Sequence, residues 1–235
     1  MADRTRLPLG CEEGRRGTAG ERGPGIAGED GRASMGLHEA ATRYGAYRWV
    51  ERRLFEVTGA WAAAPSLSDE AQVFCFEVST EHAWHAELWE ARLPVLAGVD
   101  RERLTRPLGP TVEPLLARLA PETPGGTDEA AGRRFLVGLA RVVLPLLLVS
   151  YRGLGRRLVP VADAPAIRAL TLVQRDEEEE LAAAQAIVDA FLGTPEAAQE
   201  AAEWTRELGD PALQLALQSE ESDGLLPWSE GPSAW

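Results

Sequence analysis

Residues 68–93 read SDEAQVFCFEVSTEHAWHAELWEARL. At three-or-four spacing, Leu67, Ala71, Phe74, Val78, Glu81/His82, His85, Leu88/Trp89 and Arg92/Leu93 fall on one stripe. That spacing predicts an amphipathic helix from about Ser68 to Leu93. Ser66 or Ser68 is placed to cap its start, and Pro94 to end it. The stripe is apolar except at its middle, where Glu81, His82 and His85 stand where a core should be.

The same reading extends outward in both directions. Leu37, Ala40, Tyr44, Tyr47, Glu51, Leu54, Thr58 and Trp61 mark a first helix from Leu37 to about Ala63. Leu136, Leu139, Val143, Leu147, Ser150, Leu154 and Leu158 mark a third, from a Thr127 cap to about Leu158. Pro145 lies inside it and is expected to kink it. Ile167, Leu170, Gln174, Glu177, Leu181, Ala184, Val188 and Phe191 mark a fourth over about 164–192, with Asp163 as cap, Pro165 in the first turn and Gly193 as stop. A fifth helix over about 195–208 and a short helical stretch over 211–218 follow. No strand-type alternation appears, so the expected class is all-α.

The connections are uneven. Helices one and two are joined tightly, as are three and four, but residues 94 to about 127 form a Pro- and Gly-rich connection with one short helical piece near Val112–Leu119. This describes two antiparallel hairpins with a long crossover, plus a C-terminal helix. The expected organisation is a disordered tail over 1–35, a helical domain over 36–210, and a short helix with a mobile acidic tail over 211–235. Residues 1–34 are rich in Gly, Arg and Glu and have too few bulky apolar groups to offset their ordering entropy. Met35 directly precedes the first helical pattern and suggests a translation start there; peptides from residues 2–34 in native protein would refute it.

Composition bounds the partners. The 235-residue chain carries a net charge of −13, and all 24 of its basic residues are Arg. That balance argues against general affinity for nucleic-acid backbones or anionic membranes. The longest apolar run, Val142 to Ser150, is well short of the roughly 20 residues that span a bilayer. Cys11 falls in the tail and Cys75 inside a helix, so no structural disulfide is expected. With no secretory signal at the N-terminus, the expected location is the cytoplasm. No Gly-rich phosphate loop, Cys-x-x-Cys zinc pattern or hydrolase triad is present.

The candidate chemistry therefore rests on the ionisable groups of the apolar stripes. Glu51, Glu81, His85 and Glu177 each lie on the inner stripe of their helix. A buried carboxylate without a partner costs several kcal/mol, roughly, so a core that keeps several has a use for them. Each also has a plainer reading. Glu51 could pair with Arg48 or Arg52 on a helix margin, and Glu81 with His85 one turn away. His82 reads as a partly exposed histidine at the stripe's edge. The run Asp176–Glu180 reads as a solvated face, except that five consecutive acids cover every side of a helix. At least one must point inward, Glu177 first and Glu180 next. Tyr151 reads as core filling, or as a hydrogen-bond donor to an inner carboxylate. Arg152, Arg156 and Arg157 read as a helix end or an anion contact, and the tryptophans as packing or as a homodimer surface.

Glu51, the segment Glu81-His82-Ala83-Trp84-His85, the long crossover and the acidic run Asp176–Glu180 together resemble the ferritin-like superfamily, in particular the bacterial ferritin-like proteins similar to tRNA-modifying di-iron hydroxylases. The resemblance covers residues 37–192 and implies a ferritin-like four-helix bundle. It also implies an iron- or manganese-dependent oxidoreductase or hydroxylase acting on a small-molecule or tRNA-like substrate. Its implied metal ligands are Glu51, Glu81, His85, Glu177 and Glu180, around a di-metal or a single-metal site. In that superfamily two helices each give one Glu and two give Glu-x-x-His. Here helix three has Ser150 and Tyr151 where a Glu is expected, and helix four has Glu177 and Glu180 but no His. Two other readings stand beside the oxidoreductase. One is a metal-free ferritin-like binding or interaction module with a structural Glu–His–Glu core network. The other is a non-redox enzyme using the cluster as acid and base.

Overall fold

The computed structural model describes residues 35–95, 97–107, 109–122 and 127–220, with side chains as far as Gly209. The expected tail over 1–34 and the acidic end over 221–235 lie outside the described residues. Among the described residues every regular element is helical. These elements are α1 (Leu37–Ala62), α2 (Asp69–Glu90), α3 (Arg101–Leu104), α4 (Val112–Ala117), α5 (Glu129–Gly138), a π turn (Leu139–Val143), α6 (Leu144–Gly155), α7 (Ala164–Phe191) and α8 (Pro195–Glu220).

Local chemistry accounts for most of the boundaries. The Ser68 side chain accepts from the Ala71 amide at 3.2 Å and starts α2. At the other end of α2, the Glu90 carbonyl accepts from the Leu93 amide at 3.1 Å and from Arg101 at 2.6 Å. Asp128, rather than the expected Thr127, caps α5 by accepting from the Ala130 amide. Asp163 precedes α7 as expected but accepts from the Val159 amide at 2.8 Å, closing the turn instead of capping the helix.

Two prolines lie inside helices. Pro145 cannot donate to the carbonyl four residues back and crowds it. The helix answers upstream, with a π turn in which the Leu144 amide reaches back to the Leu139 carbonyl. The helix over about 195–208 and the short stretch over 211–218 were expected as separate pieces, yet α8 runs continuously to Glu220 and crosses the expected 210/211 domain boundary. Pro211 leaves the Glu207 carbonyl without its helical donor, and the Arg118 guanidinium supplies one at 3.2 Å while its other nitrogen meets the Glu207 carboxylate.

Residue pairings set the helix directions. Tyr44, Glu51 and Phe55 of α1 meet Trp89, His82 and Ser79 of α2, so this hairpin is antiparallel. Glu39, Tyr47, Glu51 and Trp61 meet Arg157, Ser150, Tyr151 and Phe135, so the α5–α6 helix also runs against α1. His85 and His82 meet Asp176 and Glu180, so α7 runs against α2. It follows that α2 and the α5–α6 helix run the same way. The chain must return along the molecule between them, and residues 91–128 make that return.

This return segment is held at both ends. Leu104 of α3 sits so close to α1 that a Cβ on Gly45 would lie 2.1 Å from its carbonyl oxygen. Trp61 donates to the Leu119 carbonyl at 2.7 Å and stacks on Phe135. The combined helix Glu129–Gly155 is long and apolar enough, by length and composition, to cross a membrane. However, 72% of its apolar window is buried against the other helices, as in the core helix of a globular domain.

Candidate metal centre

The centre lies between α1, α2 and α7. On α2 the buried line runs Phe74, Val78, His82, His85, Trp89, in steps of four, four, three and four. Those steps place His82 and His85 on the inner face. Glu81, one residue earlier, is rotated about 100° away and is exposed, contrary to the expectation that it lies inside. Glu51 on α1 and Glu177 on α7 are fully buried opposite the two histidines. Arg48 and Arg52, the plainer partners for Glu51, turn instead to Glu102, and Arg48 also to Glu90.

One donor atom from each of Glu51, His82, His85 and Glu177 lies within 4.8 Å of all the others. The separations are 2.7 Å between His82 Nδ1 and Glu51 Oε2, and 3.5 Å between His82 Nδ1 and Glu177 Oε1. From His85 Nδ1 they are 3.6 Å to Glu51 Oε2 and 3.5 Å to Glu177 Oε1. An ion bound tetrahedrally at about 2.1 Å has ligand–ligand edges of roughly 3.4 Å. Three of the four distances match that edge, and the short one is a hydrogen bond that an ion would replace.

Many of these atoms have no hydrogen-bond partner. His82 Nε2, His85 Nδ1 and both carboxylate oxygens of Glu177 and of Glu180 are buried without one. The 3.5 Å contacts of His85 with Glu177 are within ion-pair range but too long and poorly aimed for a good hydrogen bond. Each such orphan costs about 1–3 kcal/mol. Six in one cluster is unusual, because native interiors leave only a few per hundred residues.

The electrostatics point the same way. Burial alone would push the Glu51 carboxyl up, but hydrogen bonds and charge from His82 and His85 outweigh it and hold Glu51 at about 2. Burial would lower the His85 imidazole, yet Glu177 and Glu51 raise it to about 11. Glu177 is raised by burial and by the Glu51 charge. Glu180 is raised well above the ordinary carboxylate range by burial, by Glu177 and by its neighbour Glu81. Three buried carboxyls thus share two imidazoles, with Glu177 and Glu180 pushed towards holding protons, and a bound cation would take the place of those protons.

The surroundings hold the donors in place. His85 Nε2 lies 3.3 Å from Asp176 Oδ2, so its Nδ1 faces the cluster. A carboxylate behind a histidine in this way fixes the tautomer of a metal-binding imidazole. On the opposite side the Tyr151 hydroxyl donates to Glu51 Oε1. Tyr151 packs against Tyr47 and stacks on Trp89, which also stacks on Tyr47 and Tyr44, at centroid distances of 4.7–5.7 Å.

The five expected ligands therefore separate into three groups. Glu51, His85 and Glu177 come together. Glu180 is buried one turn further along α7, with Oε2 3.5 Å from His82 Nε2. Glu81 stays at the surface beside it. His82, expected at the edge, is fully inside, and the four-four-three-four run on α2 is the signal that shows it. Asp176 carried no such signal, since its role depends on which helix faces it, whereas Tyr151 makes the hydrogen bond to an inner carboxylate that its place beside Ser150 allowed. Cavities of about 460 and 400 Å³ lie along α5 and α8, lined by Arg134 and Trp204 among others, and share no residue with the cluster. No family model, curated protein or solved structure matches this chain.

Proposed function

We propose that this chain is a ferritin-like helical protein that binds iron or manganese between its helices and works as an oxidoreductase, with a small-molecule or tRNA-like substrate. The observation that carries the metal reading is the set of four convergent, buried donors at ion-sized separations. The helix directions support the ferritin-like assignment, since two antiparallel hairpins joined by a long return is that plan. Two imidazoles with two carboxylates suit iron, manganese or zinc better than calcium or magnesium. An iron or manganese ion held there would supply one-electron and dioxygen chemistry.

The protein's own part is to hold, shield and neutralise. Glu51 and Glu177 balance the charge of a divalent ion. Asp176 keeps His85 Nδ1 turned inward. Tyr44, Tyr47, Trp89 and Tyr151 exclude water on the α6 side. Approach is from the seam of α2 and α7, where Trp84, Glu81 and Asp176 reach solvent and the Trp84 ring lies 5.8 Å from the His85 ring. Val73, Phe76 and Trp84 also form an exposed stripe along α2, the face a homodimer would use.

The metal-free module keeps one supporting observation. Both Glu51 oxygens and His85 Nε2 already have partners inside the protein. Elemental analysis of protein from iron-supplemented cells separates the two readings. Iron or manganese near one equivalent, lost in His82→Ala/His85→Ala, supports the metal reading. Less than roughly a tenth of an equivalent of Fe, Mn or Zn, unchanged in that variant, sinks it.

A further inference from the structure

We infer that the four convergent donors hold one metal ion rather than two, and that Tyr151 is a positioning residue that keeps Glu51 Oε2 turned towards that ion. The inference rests on the metal reading above and goes beyond it in stoichiometry and in the role of Tyr151.

The argument begins with hydrogen-bond direction. The Trp89 indole N–H can only donate, and it points at the Tyr151 oxygen at 3.3 Å. The Tyr151 hydroxyl has one proton, and that proton goes to Glu51 Oε1. The ring is packed against Trp89 at a centroid distance of 5.7 Å and against Tyr47 at 4.7 Å. Tyr47 is itself held, donating to the Ser150 carbonyl at 3.1 Å.

A carboxylate bridges two cations by giving one oxygen to each. The Tyr151 hydroxyl on Oε1 holds the Glu51 carboxylate with Oε2 turned to His82 and His85. The α6 helix adds no carboxylate of its own: at the level of the cluster it presents Ser150 and Tyr151. Of the remaining acids, Glu180 does not join the four donors. Its Oε2 faces His82 Nε2, the far side of the imidazole from His82 Nδ1. One ion with Glu51 Oε2, Glu177 Oε1, His82 Nδ1 and His85 Nδ1 uses every convergent donor.

The test is an anaerobic titration of chelator-stripped full-length protein with Fe(II) and, separately, Co(II), with bound metal counted after desalting. Wild type should take up one equivalent, and Co(II) should give the intense visible bands of four-coordinate geometry. Glu180→Gln should still take up one. Tyr151→Phe should bind about 10- to 100-fold more weakly, the usual effect of removing a group that orients a ligand. Its Co(II) bands should also weaken, because the freed Glu51 Oε1 can add a fifth donor. A merely structural role for Tyr151 would lower thermal stability and leave that spectrum unchanged, which would overturn the positioning role. Two equivalents in wild type, falling to one in Glu180→Gln, would overturn the single-ion inference alone. No uptake of either metal would overturn it together with the metal reading beneath it.

Discussion

Replacing Glu177 with Gln should make the protein more stable without metal and less stable with it. In the metal-free protein both Glu177 oxygens are buried without a hydrogen-bond partner, and its carboxyl is raised by burial and by Glu51. A carboxyl raised in the folded state contributes stability that is complete below its ordinary value and is lost as pH rises through the raised one. At neutral pH the wild-type side chain therefore bears a cost that a neutral amide does not. The amide can also donate to a neighbouring carboxylate. Relief of one unsatisfied buried group is about 1–2 kcal/mol, within the usual range for such groups. In a domain of this size that corresponds to a rise in Tm of roughly 2–8 °C. Metal reverses the order. At a free concentration about 100 times Kd, an ion that binds only the folded state adds about 2.7 kcal/mol. Wild type should gain roughly 5–11 °C from it, and Glu177→Gln little or nothing. The assay is thermal unfolding of both proteins at pH 7.5, in EDTA and in Mn(II). Equal metal-induced shifts would refute the ligand role of Glu177. A Glu177→Gln protein less stable than wild type in EDTA would refute the view that the metal-free cluster is strained by its own charge.

Four further outcomes follow from the structure. The His85 contribution is complete below the ordinary histidine value and is lost as pH rises towards about 11. Glu177 and Glu180 have the same sign from a lower starting point, so chemical denaturation of metal-free protein should show stability falling from pH 5 to pH 9. Metal affinity should rise over the same range, because the ligands must lose their protons, and calorimetry in buffers of different ionisation enthalpy should detect that release. Gly45→Ala should destabilise the fold by about 1–3 kcal/mol in urea melts, because its Cβ would collide with the Leu104 carbonyl and push the return segment off α1. Cys75 is fully buried, and burial pushes its thiol up to about 12. It should resist a thiol reagent in native protein and react once guanidinium is added, whereas rapid native labelling of Cys75, mapped by mass spectrometry, would show that α1 and α2 separate readily.

Much of the helical framework was legible along the chain. Helix period and capping chemistry are local properties, and they located α1, α2 and α7 to within a few residues. The departures occurred where a distant group intervened. Pro211 did not end α8, because Arg118, about ninety positions earlier, supplies the donor that Glu207 lacks. Pro145 acted through a π turn upstream, where the helix packs on α7 and α8. In the candidate centre, the stripes of α1 and α7 identified Glu51 and Glu177. The choice between Glu81 and His82 turned on about 100° of helix rotation. That rotation is set by which side of α2 packs against α1 and α7, and the broad stripe over 81–85 left both sides open.

The sequence by itself determined that this is a helical protein with two tight hairpins, a long return between them and ionisable groups on its inner faces. Periodicity, turn residues and net composition are enough for that, because each depends on neighbours within a turn or two. Only the tertiary structure decided which ionisable groups meet. Their convergence depends on helix rotation and depth summed over three helices, and no short-range pattern encodes that sum. It put His82 inside and Glu81 outside, placed Tyr151 on Glu51 and Asp176 behind His85, and so turned a set of buried charges into one ion-sized site.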